Sequence, residues 1–63
     1  MPIINYDGGR MTREQKAELV TEFTETASRI TGINKEVFVV IINEHDMENI
    51  GSGGQLLADK LKK

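Results

Sequence analysis

The sequence predicts an α/β fold: a βαβ subunit with two parallel strands, one crossover helix and a short C-terminal glycine-rich hairpin, assembled into an oligomer. Three observations predict it. Leu19, Val20, Phe23, Ala27 and Ile30 recur at steps of one, three, four and three, the apolar stripe of a helix lying on a sheet. Val37-Phe38-Val39-Val40-Ile41-Ile42 is an unbroken apolar run rich in β-branched side chains, the pattern of a parallel strand covered on both faces. The chain has 63 residues and no cysteine, so neither length nor disulfides can supply the missing burial.

The elements follow in order. Pro2 to Tyr6 reads as a short strand with Ile3 and Ile4 as its apolar content, and Asp7-Gly8-Gly9 is expected to break it. Thr12 then offers a helix N-cap, with Gln15 at the capping-box spacing and Glu14 suited to the positive end of the helix dipole. The helix is expected from Arg13 to Thr31, ended by Gly32 in the left-handed conformation. Glu14, Glu18, Glu22 and Glu25 lie off the apolar stripe and read as a solvated face, with Glu25 and Arg29 spaced for a weak helical pair. Asn34 to Glu36 is a polar connection to the second strand, placed at 37–42. Strand, helix and strand at this length make a βαβ unit with a right-handed crossover. Residues 43–49 are a polar loop, and Ile50-Gly51-Ser52-Gly53-Gly54 fits a turn, a bulge or a pair of very short strands. Lys60, Lys62 and Lys63 read as a solubilising tail. Nothing repeats, and no linker divides residues 1–63, so a single domain is expected.

Two strands and one helix are marginal alone in water. The second face of the 37–42 run therefore needs cover from another copy. The net charge of −2 gives no general attraction to nucleic acid or anionic membrane. No signal peptide or transmembrane-length run is read, and the absence of cysteine fits a reducing, cytoplasmic setting.

Candidate chemistry is sparse. Glu44-His45-Asp46 with Glu48 has the residue types of a metal cluster, but a single histidine on a polar loop reads as solvated, and no metal site is expected. Gly51–Gly54 lacks the lysine of a phosphate loop. Pro2 is the more pointed feature. Removal of Met1 would leave a rigid secondary amine, and α-amino groups titrate at about 7.7–8.0. Partial burial or a neighbouring cation lowers that value, toward what proton transfer at neutral pH requires. The plain alternative is that Pro2 only starts a strand. Arg10 follows the two glycines. An extended chain would put it more than about 20 Å from Pro2. The two can share a site only if the turn folds back or if Arg10 comes from a neighbouring subunit.

Met1-Pro2-Ile3-Ile4, Gly9-Arg10, Thr12-Arg13-Glu14-Gln15-Lys16, Val40-Ile41-Ile42-Asn43-Glu44 and Asn49-Ile50-Gly51-Ser52-Gly53-Gly54 together resemble the 4-oxalocrotonate tautomerases, across essentially the whole chain. The resemblance implies βαβ subunits assembled as a homohexamer of three dimers. It also implies an isomerase whose amino-terminal proline moves a proton between atoms of an enol or dienol carboxylic acid, without metal or organic cofactor. On this chain it assigns catalysis to Pro2 and carboxylate binding to Arg10, with Arg13 as fallback because the first strand and turn are one residue shorter. It assigns the pocket wall to Val39 and Ile50. Ile50 stands where the best-known members have a phenylalanine. Val39 stands where they have a second arginine, so the chain resembles a subgroup without that arginine, for which a dicarboxylate enol is a poor fit. The same departure feeds an alternative: a non-catalytic oligomeric binding module with the same fold.

Overall fold

A computed structural model describes residues 1–61. Strand β1 (Ile3–Gly8) leads through a turn at Gly9 to helix α1 (Arg13–Thr31). Strand β2 (Val39–Glu44) follows, then β3 (Gly51–Ser52), β4 (Gln55–Leu56) and the single helical turn α2 (Leu57–Lys60). β1 and β2 pair in parallel, from Ile3 opposite Val39 to Gly8 opposite Glu44. β3 and β4 form a separate antiparallel hairpin turned by Gly53 and Gly54, both at positive φ.

Local chemistry sets both ends of α1. Thr12 is extended, its hydroxyl accepts the Gln15 N–H at 3.1 Å, and the Gln15 side chain accepts the Thr12 N–H at 2.9 Å. Two N–H groups that a helix start would otherwise leave unpaired are thus satisfied reciprocally. At the other end Gly32 sits at φ 74° and donates to the Ser28 carbonyl. The helix packs on β2, and Leu19, Phe23 and Ala27 line an open groove of about 620 Å³ together with Ile4 of β1. The Tyr6 ring tilts against Phe23 at 6.2 Å between centroids. Glu14, Glu18, Glu22 and Glu25 are exposed. Among the described residues Glu25 and Arg29 do not pair; the ion pairs lie at the ends of β1 and β2.

Both strands differ in extent from the expectation. β1 does not break at Asp7, because Asp7 and Gly8 stay in register with Asn43 and Glu44. Gly8 also makes room for a neighbour, since a Cβ there would lie 2.7 Å from Tyr6 Oη. β2 starts at Val39 rather than Val37. Residues Lys35–Val37 form a 3-10 turn instead, because the Asn34 side chain accepts the Glu36 N–H at 2.9 Å and starts it. One protomer leaves β2 without cover, as expected: among the described residues it pairs only with β1, and Ile41 stays exposed. Lys62 and Lys63 of the expected basic tail lie outside the described residues.

No described residue is buried, and Ile30 and Leu61 are 70% and 64% exposed. The radius of gyration is 15.3 Å, against about 11 Å for a compact chain of this length. The hairpin and α2 account for the difference. They pack on one another and on the 3-10 turn Met47–Asn49, as an arm beyond the end of β2. Among the described residues no helix is long and apolar enough to cross a membrane.

Candidate active site

The parallel register divides the expected site residues between the two ends of β1. At the first end stand Pro2 and Val39. The Val39 N–H donates to the Pro2 carbonyl at 3.0 Å, one step before the Ile3–Val39 pair. Pro2 and Val39 are half-buried, whereas Met1 is 84% exposed. At the other end, more than about 20 Å along the strand, stand Arg10 and the arm that carries Ile50. Ile50 is half-buried, and its carbonyl accepts the Leu57 N–H at 2.8 Å, fixing it at the root of the hairpin. Within one protomer the structure therefore brings Pro2 to Val39 but not to Arg10 or Ile50.

The second end is rich in charge, and consecutive residues there take separate partners. Glu44 accepts from Lys16 Nζ and from the Met11 N–H, both at 2.9 Å. These bonds tie the N-terminus of α1 to the end of β2. The Lys16 bond first, then the Met11 N–H, holds the Glu44 carboxyl below its usual range. His45 donates its backbone N–H to the Gly8 carbonyl, and its Nε2 lies 2.7 Å from Asp7 Oδ1. Asp46 accepts from Arg10 twice, Nε at 2.8 Å and Nη2 at 3.2 Å. That hydrogen bond, reinforced by the charge, pushes Arg10 up and Asp46 down from their ordinary values. Glu44, His45 and Asp46 are thus each engaged with a different partner, and among the described residues no group of three metal-ligating side chains converges. Arg13, the fallback for Arg10, opens α1 as its first residue.

Asp46 is the residue that sequence reasoning misses. On sequence alone it groups with Glu44 and His45 as one polar cluster. A parallel register, however, places position 46 beside the chain leaving Gly8, and that register is the signal that pairs it with Arg10.

A two-stranded parallel sheet, one crossover helix and a glycine hairpin, with Pro2 beside Val39 at one end of the first strand and a charged cluster at the other, define a small βαβ subunit. Residues 3–60 match the family model described as tautomerase enzyme. The chain belongs to that family of isomerase-type enzymes. It is 40% identical over 62 residues to a probable tautomerase of Staphylococcus epidermidis, covering 95% of this chain and all of the relative. It is 37% identical over 59 residues to a probable tautomerase of Helicobacter pylori, covering 87% of each. The solved structure of a 4-oxalocrotonate tautomerase homologue superposes with a TM-score of 0.84 at 33% identity, over 98% of this chain and 100% of the other.

Proposed function

We propose that the chain is a tautomerase that moves a proton on an enol or dienol carboxylic acid, with Pro2 as general base and acid. The observation that carries this reading is the pairing of an exposed Met1 with a Pro2 held by the Val39 N–H. Removing Met1 costs no packing and converts an amide nitrogen into a ring amine in a fixed position. The neutral amine takes the proton of the enol hydroxyl while the carbonyl forms, and the ammonium returns a proton to the conjugated carbon. Arg10 holds the substrate carboxylate, and a cation in the same site favours the neutral amine. Val39 and Ile50 give the pocket apolar walls and exclude water.

Arg10 and Ile50 lie at the far end of β1, so in this reading they reach Pro2 from a neighbouring copy. The absence of buried residues among those described, together with the projecting arm, supports a homo-oligomer. The proposed assembly is a hexamer of three dimers. With Val39 in place of a second cation, a single carboxylate next to an apolar group is the better substrate. No group other than the Pro2 amine, Arg10 and the apolar walls is required by this mechanism.

The test joins intact-mass spectrometry to phenylenolpyruvate ketonisation on one sample, with sedimentation to read the assembly. Loss of Met1, turnover, and loss of turnover when the amine is chemically blocked are expected. A trimmed chain whose ketonisation survives blocking would reject Pro2 as the base. A trimmed hexamer inactive on enol acids would favour a binding module.

A further inference from the structure

We infer that Asp46 is a positioning residue that presents the Arg10 guanidinium, end-on, to a substrate carboxylate. The inference rests on the reading of Arg10 as the carboxylate binder. Arginine carries five N–H donors in a rigid planar fork. Asp46 takes two, Nε–H at 2.8 Å and one Nη2–H at 3.2 Å. Three are left over, the second Nη2–H and both on Nη1; of these the second Nη2–H and the Nη1–H beside it form the end-on fork that donates to a carboxylate bidentately. A substrate carboxylate and Asp46 can therefore bind the same guanidinium on two different edges.

Arg10 needs such an anchor. Its side chain is 77% exposed, so an unheld guanidinium would lose its rotamer freedom at each binding event. The anchor itself is placed by the sheet. The His45 N–H bonds the Gly8 carbonyl at 2.8 Å, which fixes the backbone one residue before Asp46 and two residues before Arg10. Strand pairing thus sets both ends of the ion pair. Asp46 also lies where it draws off positive charge, as Glu44 does. Positioning and charge competition give opposite signs. If Asp46 mainly competes with substrate for Arg10, its loss lowers KM; if it mainly positions Arg10, its loss raises KM.

The experiment measures kcat and KM for phenylenolpyruvate in the trimmed wild-type protein and in Arg10→Ala, Asp46→Ala and Asp46→Asn. Asp46 is 49% exposed and makes no side-chain cap to the 3-10 turn that follows it, so the fold tolerates both changes. Asp46→Ala is expected to raise KM about threefold to fivefold, with kcat changing less than about twofold, in line with an exposed ion pair. Asp46→Asn keeps an acceptor for Nε–H and is expected to restore KM to within about twofold of wild type. Unchanged or lowered KM in Asp46→Ala, or an Asn variant as impaired as the Ala variant, overturns the inference while Arg10→Ala still raises KM. If Arg10→Ala leaves KM unchanged, the carboxylate-binding role of Arg10 and the inference both fail.

Discussion

Val39 donates its backbone N–H to the carbonyl of Pro2 at 3.0 Å, so the residue that begins β2 is pinned beside the residue just before β1. This contact makes position 39 a lever on the proposed base. Val39→Arg would add a cation at that end of the sheet without disturbing the backbone bond. A nearby cation lowers an amine pKa. The acidic limb of the pH–rate profile should therefore move to lower pH. A second guanidinium should also bind a second carboxylate, shifting the ratio of kcat/KM for a dicarboxylate enol over phenylenolpyruvate by roughly tenfold. A pH profile and a substrate ratio equal to those of wild type would remove position 39 from the site.

The close approach of Tyr6 to Gly8 gives a second test. A methyl group on Gly8 would meet Oη, Cε1 and Cζ of Tyr6 at 2.7–2.9 Å. The φ of Gly8 is not positive, so the obstacle is the ring and not the backbone. The ring cannot swing freely because it rests near Phe23. Gly8→Ala should destabilise by about 1–3 kcal/mol, the range for overpacking. Urea denaturation of four proteins is the measurement: wild type, Gly8→Ala, Tyr6→Val and the double variant. Adding the methyl group should cost less in the Tyr6→Val background than in wild type. Equal losses would mean the ring is not what Gly8 accommodates.

These two contacts also mark how far the sequence can be read. The helix is legible from Arg13 to Thr31 because its limits are local: Thr12 bonds Gln15, and Gly32 takes the left-handed conformation that ends the helix. The strands are legible as strands, not in extent. Val37 has the side chain of a strand residue, yet the Asn34 cap outweighs β-propensity there. Gly8 looks like a breaker, yet it stays paired with Glu44, and Tyr6 occupies the space that a side chain there would need. Pro2 and Val39 are separate features of the sequence, and only the register brings them together. The Arg10–Asp46 pair spans 36 residues, and no local pattern announces it.

The capping box predicts its own contribution. Thr12 satisfies one N–H of α1 and donates its own backbone N–H to the Gln15 side chain in return. Thr12→Ala should cost about 1 kcal/mol, and Thr12→Ser should cost much less because the hydroxyl is kept. Chemical denaturation at fixed protein concentration reads both. A serine variant as weak as the alanine variant would show that the threonine methyl group, not the cap, is what matters.

Glu44 links stability to pH with a definite sign. Its carboxyl is held below the usual glutamate range, first by the Lys16 bond and then by the Met11 N–H. A group with a depressed folded-state pKa stabilises the fold fully above its unfolded value. That contribution is lost as pH falls through the ordinary glutamate range toward the lowered folded value. Asp46, depressed by Arg10, acts in the same direction in the aspartate range. Wild-type melting temperature should therefore fall with acidification through the carboxylate range. Glu44→Gln should melt about 2–5 °C lower at neutral pH, a modest loss for so small a domain. The variant should also converge on wild type in acid, since protonated glutamate and glutamine are both neutral. In a Lys16→Met background the same Glu44→Gln change should cost less at neutral pH, because the main partner of the carboxylate is gone. A constant gap between wild type and Glu44→Gln from neutral pH into acid would assign the effect to packing and not to the charge.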